Sequence, residues 1–141
     1  MSNVLRISEA ASLAMHAMAM LGDNPEQRLS TREIAARLQV SEFHLSKVLQ
    51  RLVKAGMIHS IRGPKGGFCL NRKADELCLL EVYEAIEGPL GPSKCLLGHP
   101  ACVGESCILG GFIEKVNTEL RDYLEGTRLT DLAGVYPKES P

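Results

Sequence analysis

Between Ser8 and Leu21 the chain sets Ala, Leu and Met over most of the helical wheel and leaves Glu9, Ser12 and His16, three and four residues apart, as one polar stripe. The spacing predicts a first helix, capped by Ser8 and ended by Gly22 before an Asp23-Asn24-Pro25 turn. Ser30 followed by Glu33 is a capping box, with Leu29 placed to staple onto Ile34, so a short helix begins there with Ile34, Ala35 and Leu38 on its apolar face. Gln39 and Val40 form a tight turn, Ser41 can cap the next helix, and Ala55-Gly56 ends it. Two helices joined so closely predict a helix-turn-helix.

On the second of these helices Leu45, Val48, Leu49 and Leu52 share one side, while Phe43, Lys47, Gln50 and Lys54 share the other, with no acid after Glu42. Met57 to Arg62 then alternates, Gly63-Pro64-Lys65-Gly66-Gly67 makes a turn, and Phe68 to Leu70 resumes an apolar run. This predicts a two-stranded wing with a basic tip. Leu79 to Glu87 reads as an amphipathic helix burying Leu80, Tyr83 and Ile86, ended by Gly88-Pro89. A loop reaching about Glu105 follows, and Leu109, Phe112, Ile113, Val116, Leu120, Tyr123 and Leu124 then repeat at helical spacing. A single amphipathic helix appended to a small module has no evident partner within the chain, which assigns it to dimerisation. The tail beyond Gly134, with two prolines, is expected to be loose.

The predicted fold is therefore mainly α: a winged helix-turn-helix DNA-binding domain over residues 1–88, a cysteine loop over 89–106, a long C-terminal dimerisation helix over 107–126 and a tail over 127–141. Composition agrees, since 45% of the residues are hydrophobic and only 4% aromatic, as in a helical core built from aliphatic side chains. The first segment is apolar enough to suggest a targeting sequence, but Arg6, Glu9 and His16 interrupt it, and no apolar run approaches the ~20 residues that cross a bilayer. A cytoplasmic protein without a membrane partner is expected.

A net charge of −1 hides an asymmetry. From Phe43 to Lys73 there are seven basic residues and no acid, so the rest of the chain carries −8. The cationic block coincides with the second helix of the helix-turn-helix and the wing, which marks it for nucleic-acid phosphates.

Five cysteines, an odd number, fit a closed disulfide framework poorly. Cys69 in the wing and Cys78 at a helix start read as inert small apolar side chains. Cys95, Cys102 and Cys107 differ, because they fall within thirteen residues of a loop that also contains Gly98, Pro100 and Gly104 and so can wrap a centre. Thiolates are soft ligands suited to an iron-sulfur cluster or to zinc. Three leave one position to fill. His99 inside the loop would complete a three-cysteine, one-histidine zinc site; otherwise the polar stripe of the first helix offers His16, Ser12 or Glu9.

Taken in order, these motifs resemble the IscR/NsrR family of bacterial winged-helix regulators over nearly the whole chain. The resemblance rests on Val40-Ser41, Leu45-Ser46-Lys47-Val48-Leu49 with Leu52, Ala55-Gly56, Arg62-Gly63-Pro64-Lys65-Gly66-Gly67-Phe68, Tyr83-Glu84-Ala85-Ile86-Glu87-Gly88 and the three-cysteine loop before a long helix. It implies a homodimer with crossing long helices, a recognition helix over Ser41 to Ala55 in the major groove and a wing near the minor groove. It also implies a two-iron (2Fe-2S) or four-iron (4Fe-4S) cluster on Cys95, Cys102 and Cys107, with a last ligand from the first helix of the partner subunit. By position Ser12 falls where relatives carry an acid, and His16 where one redox-sensing branch carries a histidine. The family loop has five residues between successive cysteines, whereas here there are six and then four, a displacement of the middle cysteine that leaves the cluster type open.

The resemblance points to a transcriptional repressor on a roughly palindromic double-stranded operator, not an enzyme, controlled by nitric oxide, cluster redox state or iron-sulfur shortage. The expected DNA contacts are Phe43, Ser46, Lys47 and Gln50 at bases or nearby phosphates, with Arg51, Arg62 and Lys65 on the backbone. Two rivals are a winged-helix regulator with structural zinc and a thiol redox or metal-carrier protein. The latter lacks an evident substrate pocket or base.

Overall fold

The computed structural model describes residues 7–92, 95, 97, 101–102 and 107–136. Ser8 accepts a hydrogen bond from the Ala11 backbone and starts helix α1, Glu9–Asp23, whose Ala11, Ala14, Ala17, Met18 and Leu21 are buried. The alanines let neighbouring elements approach closely, so α1 becomes the central helix of the core. Gly22 does not end it. The helix runs on to Asp23, and Gly22 packs against Leu129, where an added Cβ would sit 3.2 Å from the leucine Cβ.

Helix α2, Thr31–Leu38, has the expected capping box between Ser30 and Glu33, and Gln39 adopts a left-handed conformation with φ 57° that ends it. Ser41 caps α3, Glu42–Lys54, which buries Leu45, Val48, Leu49 and Leu52 as its periodicity predicts. Each of those side chains contributes roughly 1.5–3 kcal/mol by leaving water. Strands β1, Ile58–Ile61, and β2, Gly67–Leu70, pair antiparallel with Ile58 opposite Leu70 and His59 opposite Cys69. Leu29 adds a bridge outside the hairpin: its N–H donates to the Phe68 carbonyl at 3.1 Å, and the Phe68 N–H donates back at 2.8 Å. That bridge ties the wing to the start of α2.

Helix α4, Leu79–Glu87, lies against α1 and α3 and buries Leu80 and Ile86, while Tyr83, expected inside, is half-buried. Helix α5 begins later than its periodicity suggests, at Phe112, and runs to Gly126, because the chain turns through Ile108–Gly111 with Gly110 at φ 59°. The expectation that it lacks a partner within the chain is corrected in its second half. Leu124 is buried, Leu120 joins the core, and α5 packs on α4. The segment directly after α5 is held on the core, ahead of the tail expected beyond Gly134, of which residues 137–141 lie outside the described residues. The Leu79 N–H donates to the Thr127 carbonyl and the Leu129 N–H to the Leu77 carbonyl, both at 3.0 Å, and a short 3-10 turn over Leu129–Leu132 buries Leu129 against the core. Among the described residues, no helix is long and apolar enough to cross a membrane.

Candidate nucleic-acid interface and cysteine cavity

The outward face of α3 is set by its buried face. With Leu45, Val48, Leu49 and Leu52 inside, Phe43, Lys47 and Gln50 are exposed, Phe43 at 66%, and Ser46 is half-buried between the two sides. The Lys47 Nζ lies 4.3 Å from the centre of the Phe43 ring, and the His44 ring meets Phe43 edge-on with centroids 5.8 Å apart. A surface cation over an aromatic face gains about 0.5–1 kcal/mol, enough to bias the lysine towards one orientation. An exposed phenylalanine with an ammonium across it is poorly placed for water and well placed for the edge of a base pair.

Arg51, exposed on the same helix, has a partner within the chain. Its guanidinium donates to the Ile86 carbonyl, so a cation sits against the last turn of α4, where the helix dipole welcomes it. Arg72 is also tied, to Glu81 at 2.6 Å, and that bond raises its pKa further, chiefly through the hydrogen bond and then the charge of Glu81. Lys54, Arg62, Lys65 and Lys73 are exposed. Arg62 and Lys65 flank the wing tip, which closes with a bond from the Gly66 N–H to the Gly63 carbonyl at 2.9 Å. The tip is tight: a Cβ on Gly66 would fall 2.1 Å from the Ile61 carbonyl oxygen.

The second feature lies where the loop meets α5. Cys95, Cys102 and Cys107 all line one cavity of about 290 Å³, whose other walls are Leu97, Ala101, Ile108 and Ile113. The Leu97 N–H donates to the Cys95 sulfur at 3.4 Å and holds it in place. The entry to the loop is anchored by residues that sequence reasoning passed over. The Glu84 carboxylate accepts from the Leu90 N–H at 2.9 Å, the Asn117 amide donates to the Gly91 carbonyl at 3.0 Å, and Arg121 donates to the Leu90 carbonyl. Among the described residues, no three His, Cys, Asp or Glu side chains form a set that could hold a metal ion. The thiols share a cavity without closing on a single point. His99, the proposed fourth zinc ligand, lies outside the described residues, as do Gly98, Pro100, Gly104 and Glu105.

The polar stripe of α1 forms as predicted, with Glu9 and His16 exposed and Ser12 half-buried. The His16 Nδ1 lies 2.6 Å from the Ser12 carbonyl oxygen. A carbonyl only accepts, so Nδ1 is the donor in that contact, and Nε2 is the ring nitrogen left for another partner. His16 lines a separate, apolar cavity of about 280 Å³ with Tyr123, Leu132 and Tyr136, and does not reach the cysteines of its own chain. The Tyr136 ring meets it edge-on at 6.4 Å, and burial pushes the phenol pKa up against an opposing pull from Arg37, so this hydroxyl stays neutral.

The Rrf2 family, described as iron-dependent transcriptional regulators, matches residues 7–134. The chain belongs to the Rrf2 family. A helix-turn-helix-type regulator of Aquifex aeolicus (strain VF5) is 28% identical over 134 residues, 93% of either chain. Among solved structures, CymR, the global cysteine regulator of B. subtilis, superposes with a TM-score of 0.76 at 25% identity, covering 92% of this chain and 97% of its own. IscR of T. potens does so with a TM-score of 0.73 at 25% identity, covering 98% and 95%. The protein is thus an Rrf2 winged helix-turn-helix transcriptional regulator, not an enzyme, with α2 and α3 as its helix-turn-helix and the β1–β2 hairpin as its wing.

Proposed function

We propose that this Rrf2 regulator represses transcription as a homodimer on a roughly palindromic operator, and that an iron-sulfur cluster on Cys95, Cys102 and Cys107 controls its grip on DNA. The observation that carries the reading is that three thiols of one loop line one apolar cavity. The donor set fits: soft sulfur ligands, an apolar lining from Leu97, Ala101, Ile108 and Ile113, and a loop whose entry is fixed on α4 and α5. A cluster spreads its ligands over several irons, which suits thiols that share a cavity better than one ion would. When bound, it supplies a centre that oxidants or nitric oxide can alter.

The chain's own residues would convert that into a change at DNA. His16 of the partner subunit, with Nε2 available, is the candidate for the remaining ligand and would join the loop of one protomer to α1 of the other. The exposed Ile108 and Phe112, at 92% and 60%, offer the apolar surface for the second copy beside the cavity. Loop and α1 then set the separation of two α3 helices, which must meet half-sites ~34 Å apart. Phe43, Ser46, Lys47 and Gln50 read or flank bases, and Arg62 and Lys65 hold phosphates.

Anaerobic purification followed by iron, sulfide and zinc analysis tests the reading. Iron and acid-labile sulfide in matched amounts, lost together in a Cys102→Ser variant, are expected. Colourless anaerobic protein with one zinc per chain would overturn it in favour of a structural zinc site.

A further inference from the structure

Cys69, read from the sequence as an inert side chain, has a polar partner in the structure. Its sulfur lies 3.0 Å from Nε2 of His59 and 3.9 Å from Nδ1, across the antiparallel pair that sets the two residues directly opposite one another. Side chains alternate along a strand, so the buried Phe68 next to Cys69 turns inward while the thiol and the exposed imidazole share the outer face of the wing. The two groups stand apart from the cysteine loop. They lie within the basic block, whose exposed Lys54, Arg62, Lys65 and Lys73 give this part of the molecule a positive field.

We propose that Cys69 and His59 form a thiol-modification site for small anionic disulfides, through which such a disulfide weakens the wing's hold on DNA. In the step, the His59 Nε2 accepts the thiol proton as the Cys69 sulfur attacks one sulfur of the disulfide. A new bond forms from Sγ, the reagent's sulfur–sulfur bond breaks, and the departing thiolate takes the proton from the imidazolium. Cys69 is oxidised to a mixed disulfide, half of the reagent is reduced to a thiol, and excess thiol reverses the exchange. The cationic surroundings select an anionic reagent. Once attached, its negative charge stands beside Arg62 and Lys65 and opposes their contact with phosphate. The consequence for DNA rests on the wing's proposed backbone contacts; the chemistry at sulfur does not.

Full-length protein treated with oxidised glutathione, followed by peptide mass spectrometry, reads the first part. Cys69 is expected to be modified well before the buried Cys78, and His59→Gln is expected to slow Cys69 on the order of a hundredfold, the lower end for loss of a positioned base, without slowing Cys95, Cys102 or Cys107. Equal rates at Cys69 in the parent and His59→Gln proteins would overturn the site. The second part is read with random-sequence duplex DNA at low salt. In a Cys95→Ser, Cys102→Ser, Cys107→Ser background, which removes the loop thiols from the reaction, the Cys69 adduct is expected to bind severalfold more weakly, and a further Cys69→Ser change to leave binding that the reagent does not alter. An adduct that binds DNA unchanged, when Lys65→Ala binds more weakly, refutes the regulatory role alone. If Lys65→Ala also binds unchanged, the wing reading and the regulation fall together.

Discussion

Gly67→Ala is a perturbation whose cost is set by backbone. An added Cβ would stand 2.8 Å from both the carbonyl carbon and oxygen of Leu29 and 3.1 Å from the Ser30 nitrogen, at a residue whose φ is +153°. No flexible side chain is available to give way, so β2 must retreat from Leu29. The retreat breaks the two bonds between Leu29 and Phe68, each contributing a net ~1 kcal/mol. Backbone strain adds about 1–3 kcal/mol, for an expected loss of roughly 3–5 kcal/mol. Gly56→Ala is the control. It too has positive φ, +77°, but nothing lies within 4 Å of its added Cβ, so only the left-handed penalty of about 1–2 kcal/mol applies. Urea unfolding at one fixed protomer concentration separates the two, since self-association would otherwise shift the midpoints. A Gly67→Ala loss no larger than that of Gly56→Ala would refute the claim that the wing is docked through Leu29.

Leu124→Ala should destabilise the chain by about 2–4 kcal/mol, because it empties the buried contact of α5. Phe112→Ala, at the exposed end of the same helix, should instead weaken self-association, as sedimentation at a series of concentrations would show. Lys65→Ala should weaken binding to all duplexes and lower the salt slope by about one, whereas Lys47→Ala or Gln50→Ala should change sequence preference; equal losses on operator and random DNA for all three contradict that division. Arg51→Ala should lower stability as well as DNA affinity, by about 1–2 kcal/mol for the Ile86 carbonyl it abandons. His16→Ala should shorten the lifetime of the cluster in anaerobic protein, and unchanged visible spectra over time would remove His16 from the ligand set.

Elements with their own local signals were legible in the chain. The Ser30–Glu33 box, the Gln39–Val40 turn, the faces of α3 and the glycine-rich tip each depend on neighbours within a few residues, and the structure repeats them. What escaped depends on distant partners. Gly22 reads as a stop until Leu129 is seen packed against it. That Arg51 also braces the end of α4, thirty-five residues later, is visible only once the two helices are packed. The helical periodicity of α5 is strong, but periodicity does not say whether the apolar side meets its own domain or another copy; the structure divides it, with Leu120 and Leu124 inward and Phe112 outward. In the same way the cysteine spacing announced a shared site, while the anchors Glu84, Asn117 and Arg121 look like ordinary surface residues of amphipathic helices. His59 and Cys69 are ten positions apart, and only the register of the hairpin reveals that they touch.

The central claim is that the state of the centre on Cys95, Cys102 and Cys107 sets DNA affinity. Fluorescence anisotropy on a duplex selected by the protein itself, run without oxygen, compares one preparation before and after stoichiometric nitric oxide, with a Cys95→Ser, Cys102→Ser, Cys107→Ser variant alongside. The account predicts a shift in affinity of tenfold or more, about 1.4 kcal/mol, in the parent and none in the variant. Identical affinities for the parent in both states would contradict it.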